Sequence, residues 1–169
     1  MKLTWIHTVI TVWSTVLLGL ASGQVHEQAP LKVTMCDLYE NPALYAGRMV
    51  EFRASVIGYG NDRHLDDFSR QEACSAYMWI AMQFPQDVKP KAEFNLERDV
   101  DFEKYENALH RGLNIEATVV GRFDPVFVWR DKHRVRVGPG EGFGKKHLAD
   151  GRLVLERMCD ITTHYVPKR

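Results

Sequence analysis

Between positions 126 and 137 the chain interleaves two aromatic residues, Phe127 and Trp129, with Arg130, Lys132, His133, Arg134 and Arg136, and Asp131 is the one acid inside the cluster. Aromatic rings offer stacking surfaces, and guanidinium forks pair with phosphate, sulfate or carboxylate oxygens, so this composition suits a polyanion. On one continuous strand Arg130, Lys132, Arg134 and Arg136 would share a face. A hairpin turning at 130–133 is the other reading, and there the charges solvate a loop tip. Phe127, Trp129, Arg130, Lys132, Arg134 and Arg136 are the candidate ligand-binding residues.

Other chemistry-bearing groups fall short of a complete set. His64 and Asp66 would project to one face of a strand, with Asp67 beside them, but a catalytic zinc needs three protein ligands and a structural one four. No metal or other cofactor is expected. Asp99, Asp101, Glu103 and Glu106 crowd the start of a helix, where acids offset the positive end of the dipole, whereas acid–base catalysis needs two carboxyls facing each other across a cleft. Gly-x-Ser-x-Gly, phosphate-cradling and His-Glu-x-x-His motifs are absent from the sequence. None of Cys36, Cys74 and Cys159 sits in a nucleophile motif, so no catalytic residue is named. The reading is a non-enzymatic binding or adaptor domain. The competing reading is a small extracytoplasmic hydrolase with its site in the 61–67 and 138–147 loops.

The 169 residues carry 22 Lys+Arg against 22 Asp+Glu and are 45% hydrophobic, with a mean hydropathy of −0.30. That balance excludes a polycationic nucleic-acid coat, an acidic disordered chain and a polytopic membrane protein. Lys2 precedes an uncharged apolar run over 9–21, and Ala21-Ser22-Gly23 supplies small residues for signal peptidase, so residues 1–23 read as a signal peptide. The expected location is periplasmic or extracellular. An uncleaved anchor over residues 3–21 is the alternative, and only it would put the chain on a membrane. Export argues against cytoplasmic nucleic acid and for an envelope polymer or another macromolecule as partner. It also places the three cysteines where pairing is expected. Loops of 38, 85 or 123 positions would each stabilise by about 3–5 kcal/mol, which does not choose among them.

These groups must be positioned by a mostly β chain. Thr34-Met35-Cys36-Asp37 has the form of a capping box opening a short helix over 36–40, ended by Asn41-Pro42. The turn at 43–47 is expected to tuck Leu44 and Tyr45 under a sheet. Val50, Phe52, Ala54 and Val56 then alternate with Glu51, Arg53 and Ser55, the period-2 pattern of a half-buried strand. Sixty-three positions later Ala54-Ser55-Val56-Ile57-Gly58 nearly recurs as Ala117-Thr118-Val119-Val120-Gly121, so two strands share one design, each ending in a glycine suited to a bend or bulge. Residues 63–68 and 77–82 supply two more strands, with Trp79 and Met82 read as core. Residues 86–98 look like an exposed polar excursion. Asp99 caps a helix to His110 that buries Phe102, Tyr105 and Leu109 and stops at Gly112, and residues 153–158 form the closing strand.

Cys36-Asp37-Leu38, Asn41-Pro42, Tyr45, Gly47, the 50–58 strand, Cys74 before an apolar strand and Gly142-Phe143-Gly144 before the last one resemble a group of exported bacterial OB-fold-like proteins of unassigned function. The resemblance covers about residues 33–160 and departs from the group's pattern at Lys145-Lys146, just before His147. It implies a mainly β (α+β) fold: a small five-stranded OB-like barrel with a short N-terminal helix and one helix between strands 3 and 4. It further implies a disulfide between Cys36 and Cys74, leaving Cys159 free. The expected organisation is a signal peptide over 1–23, a polar lead-in over 24–32, the barrel domain over 33–162 and a polar tail over 163–169.

Overall fold

The strict alternation after Arg48 builds an eleven-residue strand, β2 (Met49–Tyr59), whose Val50, Phe52, Ala54 and Val56 are buried. The structure is a computed structural model, described here for residues 29–59, 62–66, 79–130, 133–137, 143 and 149–165. Ahead of β2 lie β1 (Leu31–Lys32) and two short helices, α1 (Met35–Glu40) and α2 (Pro42–Tyr45). After it come β3 (Asp62–Asp66), β4 (Ile80–Gln83), a 3-10 turn (Pro85–Asp87), α3 (Val100–His110), β5 (Asn114–Pro125), β6 (Phe127–Arg130), β7 (His133–Arg136) and β8 (Gly151–His164).

Five strands close a barrel in the order β2-β3-β4-β8-β5, and β5 pairs back onto β2. The β4–β8 seam is parallel and the other four are antiparallel. With α3 between the third and fourth barrel strands, this is the expected OB-like, mainly β architecture. The near-repeat has a direct structural meaning: β2 and β5 are neighbours, and Ala54 stands opposite Ala117. Phe52, Val56, Leu65, Ile80, Ile115, Val119, Phe123, Leu153, Leu155 and Met158 belong to one core cluster. The α3 helix adds Phe102, Tyr105 and Ala108 to it.

The helix ends follow the local chemistry read from the sequence. The Thr34 hydroxyl accepts from the Asp37 N–H at 3.1 Å, and Asp37 Oδ2 accepts from the Thr34 N–H at 2.7 Å, a complete capping box. Asp99 Oδ1 accepts from the Asp101 and Phe102 N–H groups at 3.0 and 2.9 Å, satisfying donors that the first turn of α3 would leave open. Gly47 and Gly112 have φ of +72° and +65°, where a side chain would be strained. The two strand glycines serve different ends. Gly121 sits at a register shift between β5 and β8, with the Val154 carbonyl in the space a Cβ would take. Gly58 instead makes room for Leu109 of α3, whose Cδ1 would be 2.6 Å from an added Cβ.

Several expectations are corrected. Leu44 is not tucked under the sheet but 62% exposed, because the turn is a helical one, α2, which packs Tyr45 inward instead. Trp79 is not core: the strand expected over 77–82 begins at Ile80, so the tryptophan precedes the ladder and is 37% exposed. Residues 86–98 are not simply an exposed excursion. Val88 and Ala92 are buried against Val154, Phe94 packs on them, and the Glu97 N–H donates to the Glu156 carbonyl, so the segment covers β8 from outside. The closing strand extends from Gly151 to His164 because β5 is long enough to pair with all of it. The signal segment (1–23), Cys74 and His147 lie outside the described residues.

Candidate functional site

The aromatic-basic segment is a hairpin, not one strand. β6 and β7 pair antiparallel, with Phe127 opposite Arg136, Val128 opposite Val135, Trp129 opposite Arg134 and Arg130 opposite His133. Alternation therefore puts positions 127, 129, 134 and 136 on one face of the ribbon and 130 on the other. Lys132 lies outside the described residues. The guanidinium of exposed Arg136 sits 4.8 Å from the centroid of half-buried Phe127, a cation–π contact that holds the charge flat against the ring.

The hairpin is rooted on the barrel. Phe127 packs on a small cluster of Ala81, Val126, Phe143 and Ala149. Backbone bonds fix the same place: the Val126 N–H donates to the Asp150 carbonyl at 2.8 Å, Val137 N–H to Val126 at 2.7 Å, and Asp150 N–H to Trp79 at 2.8 Å. Beneath lies an ion network that the sequence reading missed. Arg152 donates through Nε and Nη2 to Asp124 Oδ2 at 3.1 and 2.6 Å, and Arg122 donates through Nε and Nη2 to the two Asp124 oxygens at 3.1 and 3.2 Å. Arg152 also stacks 4.6 Å from the Phe143 centroid. Pairs such as Asp124 opposite Arg152 form only when two distant strands meet, so no local spacing announces them.

The outer face of β3 and β4 continues the surface. Ile57, His64, Ala81, Arg152 and Asp124 are successive cross-strand partners, so they form one row round the barrel. Trp79 lies beside this row with its ring 5.6 Å from that of His64. The His64 Nδ1 is buried and lacks a hydrogen-bond partner among the described residues. Ala81 thus links the Trp79–His64 pair on one side to Phe127 and Arg136 on the other. Trp79 was missed as a site residue: it lies inside the apolar run 76–82, and no local signal marks it as exposed.

The remaining candidates are resolved individually. His64 and Asp66 flank buried Leu65 and face outward, and among the described residues no group of three or more His, Cys, Asp or Glu could hold a metal. Asp99 caps α3, Asp101 pairs with Lys104 at 2.6 Å and Glu106 with Arg98 at 3.7 Å, which accounts for three of the four acids structurally. Cys159 is a free, half-buried thiol, and burial pushes its pKa up. Among the described residues no helix is long and apolar enough to cross a membrane. No family model matches the chain, and no curated protein matches it.

Proposed function

We propose that this chain is an exported, non-enzymatic binding or adaptor domain that holds a polyanion or envelope polymer across the outer face of β3–β4 and the β6–β7 hairpin. The observation that carries the reading is that buried Ala81 is the cross-strand partner of His64 and packs in the cluster Phe127 joins, which sets the Trp79–His64 rings and the Phe127–Arg136 pair on the same side of the barrel. Small barrels of this kind bind oligonucleotides and oligosaccharides on the corresponding face, bracketed by flanking loops. Stacking rings with guanidinium groups beside them suit a chain of repeating anionic units. Export rests on the apolar segment before Gly23. The Cys36–Cys74 pairing belongs to the same proposal and is supported by Cys36 being disulfide-bonded while Cys159 is free.

The test is binding to single-stranded nucleic acid, anionic glycans and peptidoglycan fragments, with Arg130, Arg134 and Arg136 changed together to Ala. If the three arginines each neutralise one phosphate of a single strand, affinity falls about 20-fold between 50 and 200 mM salt, and the triple variant loses most of that dependence. Binding that ignores both salt and the substitutions refutes the hairpin as the binding element.

A further inference from the structure

A second surface lies on the β2–β5–β8 side of the barrel and meets the β3–β4 face at Ile57. There a hollow of about 280 Å³ is lined by Ser55, Val56, Ile57, Asn114, Ile115, Glu116 and His164. Its construction depends on one residue. Between Thr118 opposite Cys159 and Glu116 opposite Thr162, β8 carries one residue more than β5. Asp160 in that bulge adopts φ +53°, a left-handed conformation uncommon for a residue with a side chain. An extra residue reverses the alternation of everything after it, so Thr162 and His164 come to the face of Glu116 instead of the opposite face.

The bulge is held from three directions. Arg53 Nη1 donates to the Asp160 carbonyl at 2.9 Å, Arg53 Nη2 donates to Thr162 Oγ1 at 3.1 Å, and the Thr118 hydroxyl donates to Asp160 Oδ2 at 3.2 Å. Glu116 lies between Arg53 at 3.5 Å and His164 Nε2 at 3.7 Å. Ser55 is only 6% exposed and lines the hollow.

We infer that this hollow is a saccharide subsite, taking one neutral sugar ring. Arg53 pairs with the Glu116 carboxylate and donates to the Asp160 carbonyl, so the one acid lining the hollow is already offset by a guanidinium. What the hollow offers is a Ser hydroxyl, an Asn amide, a carboxylate and an imidazole beside the half-buried Ile57. Vicinal hydroxyls match the polar groups and sugar C–H groups match Ile57, and the volume suits a small ligand. The inference is independent of the hairpin reading.

The experiment is saturation-transfer NMR on the full chain with glucose, galactose, N-acetylglucosamine and their short oligomers. It is run with Ser55→Ala and Glu116→Gln, and with the exposed Lys91→Ala as a control. The expected result is saturable transfer that is indifferent to salt and weakened about fivefold to tenfold in either site variant, each of which keeps the wild-type unfolding temperature within a few degrees. Binding of monosaccharides identifies free sugar as the ligand, and binding of oligomers alone identifies a glycan unit. No transfer with any sugar, or affinity unchanged in both site variants, overturns the inference. Salt-insensitive sugar binding together with salt-sensitive polyanion binding shows two separate sites.

Discussion

Asp124 is the pivot on which the hairpin's root depends, and removing it has a calculable cost. Its side chain is 19% exposed and accepts four charge-assisted hydrogen bonds from two arginines. Arg122, at 23% exposure and two residues away on the same strand, is partly screened and contributes about 0.5 kcal/mol. Arg152 is only 15% exposed and, without Asp124, keeps a 3.4 Å contact to Gln83 and the Phe143 ring, so stranding it costs about 2 kcal/mol. Asp124→Ala should therefore destabilise by about 2–3 kcal/mol, lowering Tm by about 5–10 °C for a chain of this size. Asp124→Asn, which keeps an acceptor but not the charge, should lose about half as much. Arg152→Met added to Asp124→Ala should recover about 1 kcal/mol or more, because an apolar replacement leaves no buried charge unpaired. Urea unfolding of the three variants and the Arg152→Met single variant measures this directly. A loss below 0.5 kcal/mol for Asp124→Ala, or strictly additive effects in the double variant, would refute the argument that the pair acts as a unit.

Two further outcomes follow from the titrating groups. Tyr105 is fully buried with an unpartnered hydroxyl, and burial pushes its pKa up to about 12. The folded state then holds a proton that the unfolded state releases near pH 10, so stability present below pH 10 should fall by about 2–3 kcal/mol as pH rises to 12. Tyr105→Phe should be neutral or stabilising by about 1 kcal/mol at pH 7 and should flatten the alkaline decline, as read by urea unfolding at pH 8, 10 and 11. Burial likewise raises the Cys159 pKa, so in native protein this thiol should react with a disulfide reagent several-fold more slowly than in denaturant. Equal rates in both conditions would show that β8 opens freely there.

The barrel was legible because its instructions are local and periodic. The alternation from Val50 to Val56, its echo from Ile115 to Val119, and the caps at Thr34 and Asp99 each state a conformation within a few residues. Where the reading failed, burial was decided by distant partners. Leu44 is as apolar as Tyr45, yet the helical turn gives only one of them the core. Val88, Ala92 and Phe94 lie among charged residues, and their apolar role appears only once Val154 is beneath them. For the same reason the candidate site was half visible. The Phe127 to Arg136 segment is compact in sequence, and a hairpin is one of the two forms its pattern allows. Trp79, His64 and the Asp124–Arg152 pair join it through contacts across strands. The Asp160 bulge has no sequence signature of its own, since aspartate is ordinary in a strand end or a turn.

The parallel β4–β8 seam also sets the order in which this molecule can be made. β8 supplies both the β4 seam and the long β5 seam, so synthesis can finish β5 at Pro125 while the ring is still open. Thirty-nine more positions must emerge before His164 is available, an interval of about 2–8 s at 5–20 residues per second. Throughout that time β4 and β5 present bare edges to any neighbouring strand. A newly made chain is therefore most open to pairing with a neighbouring strand until residues 151–164 arrive to shut the ring.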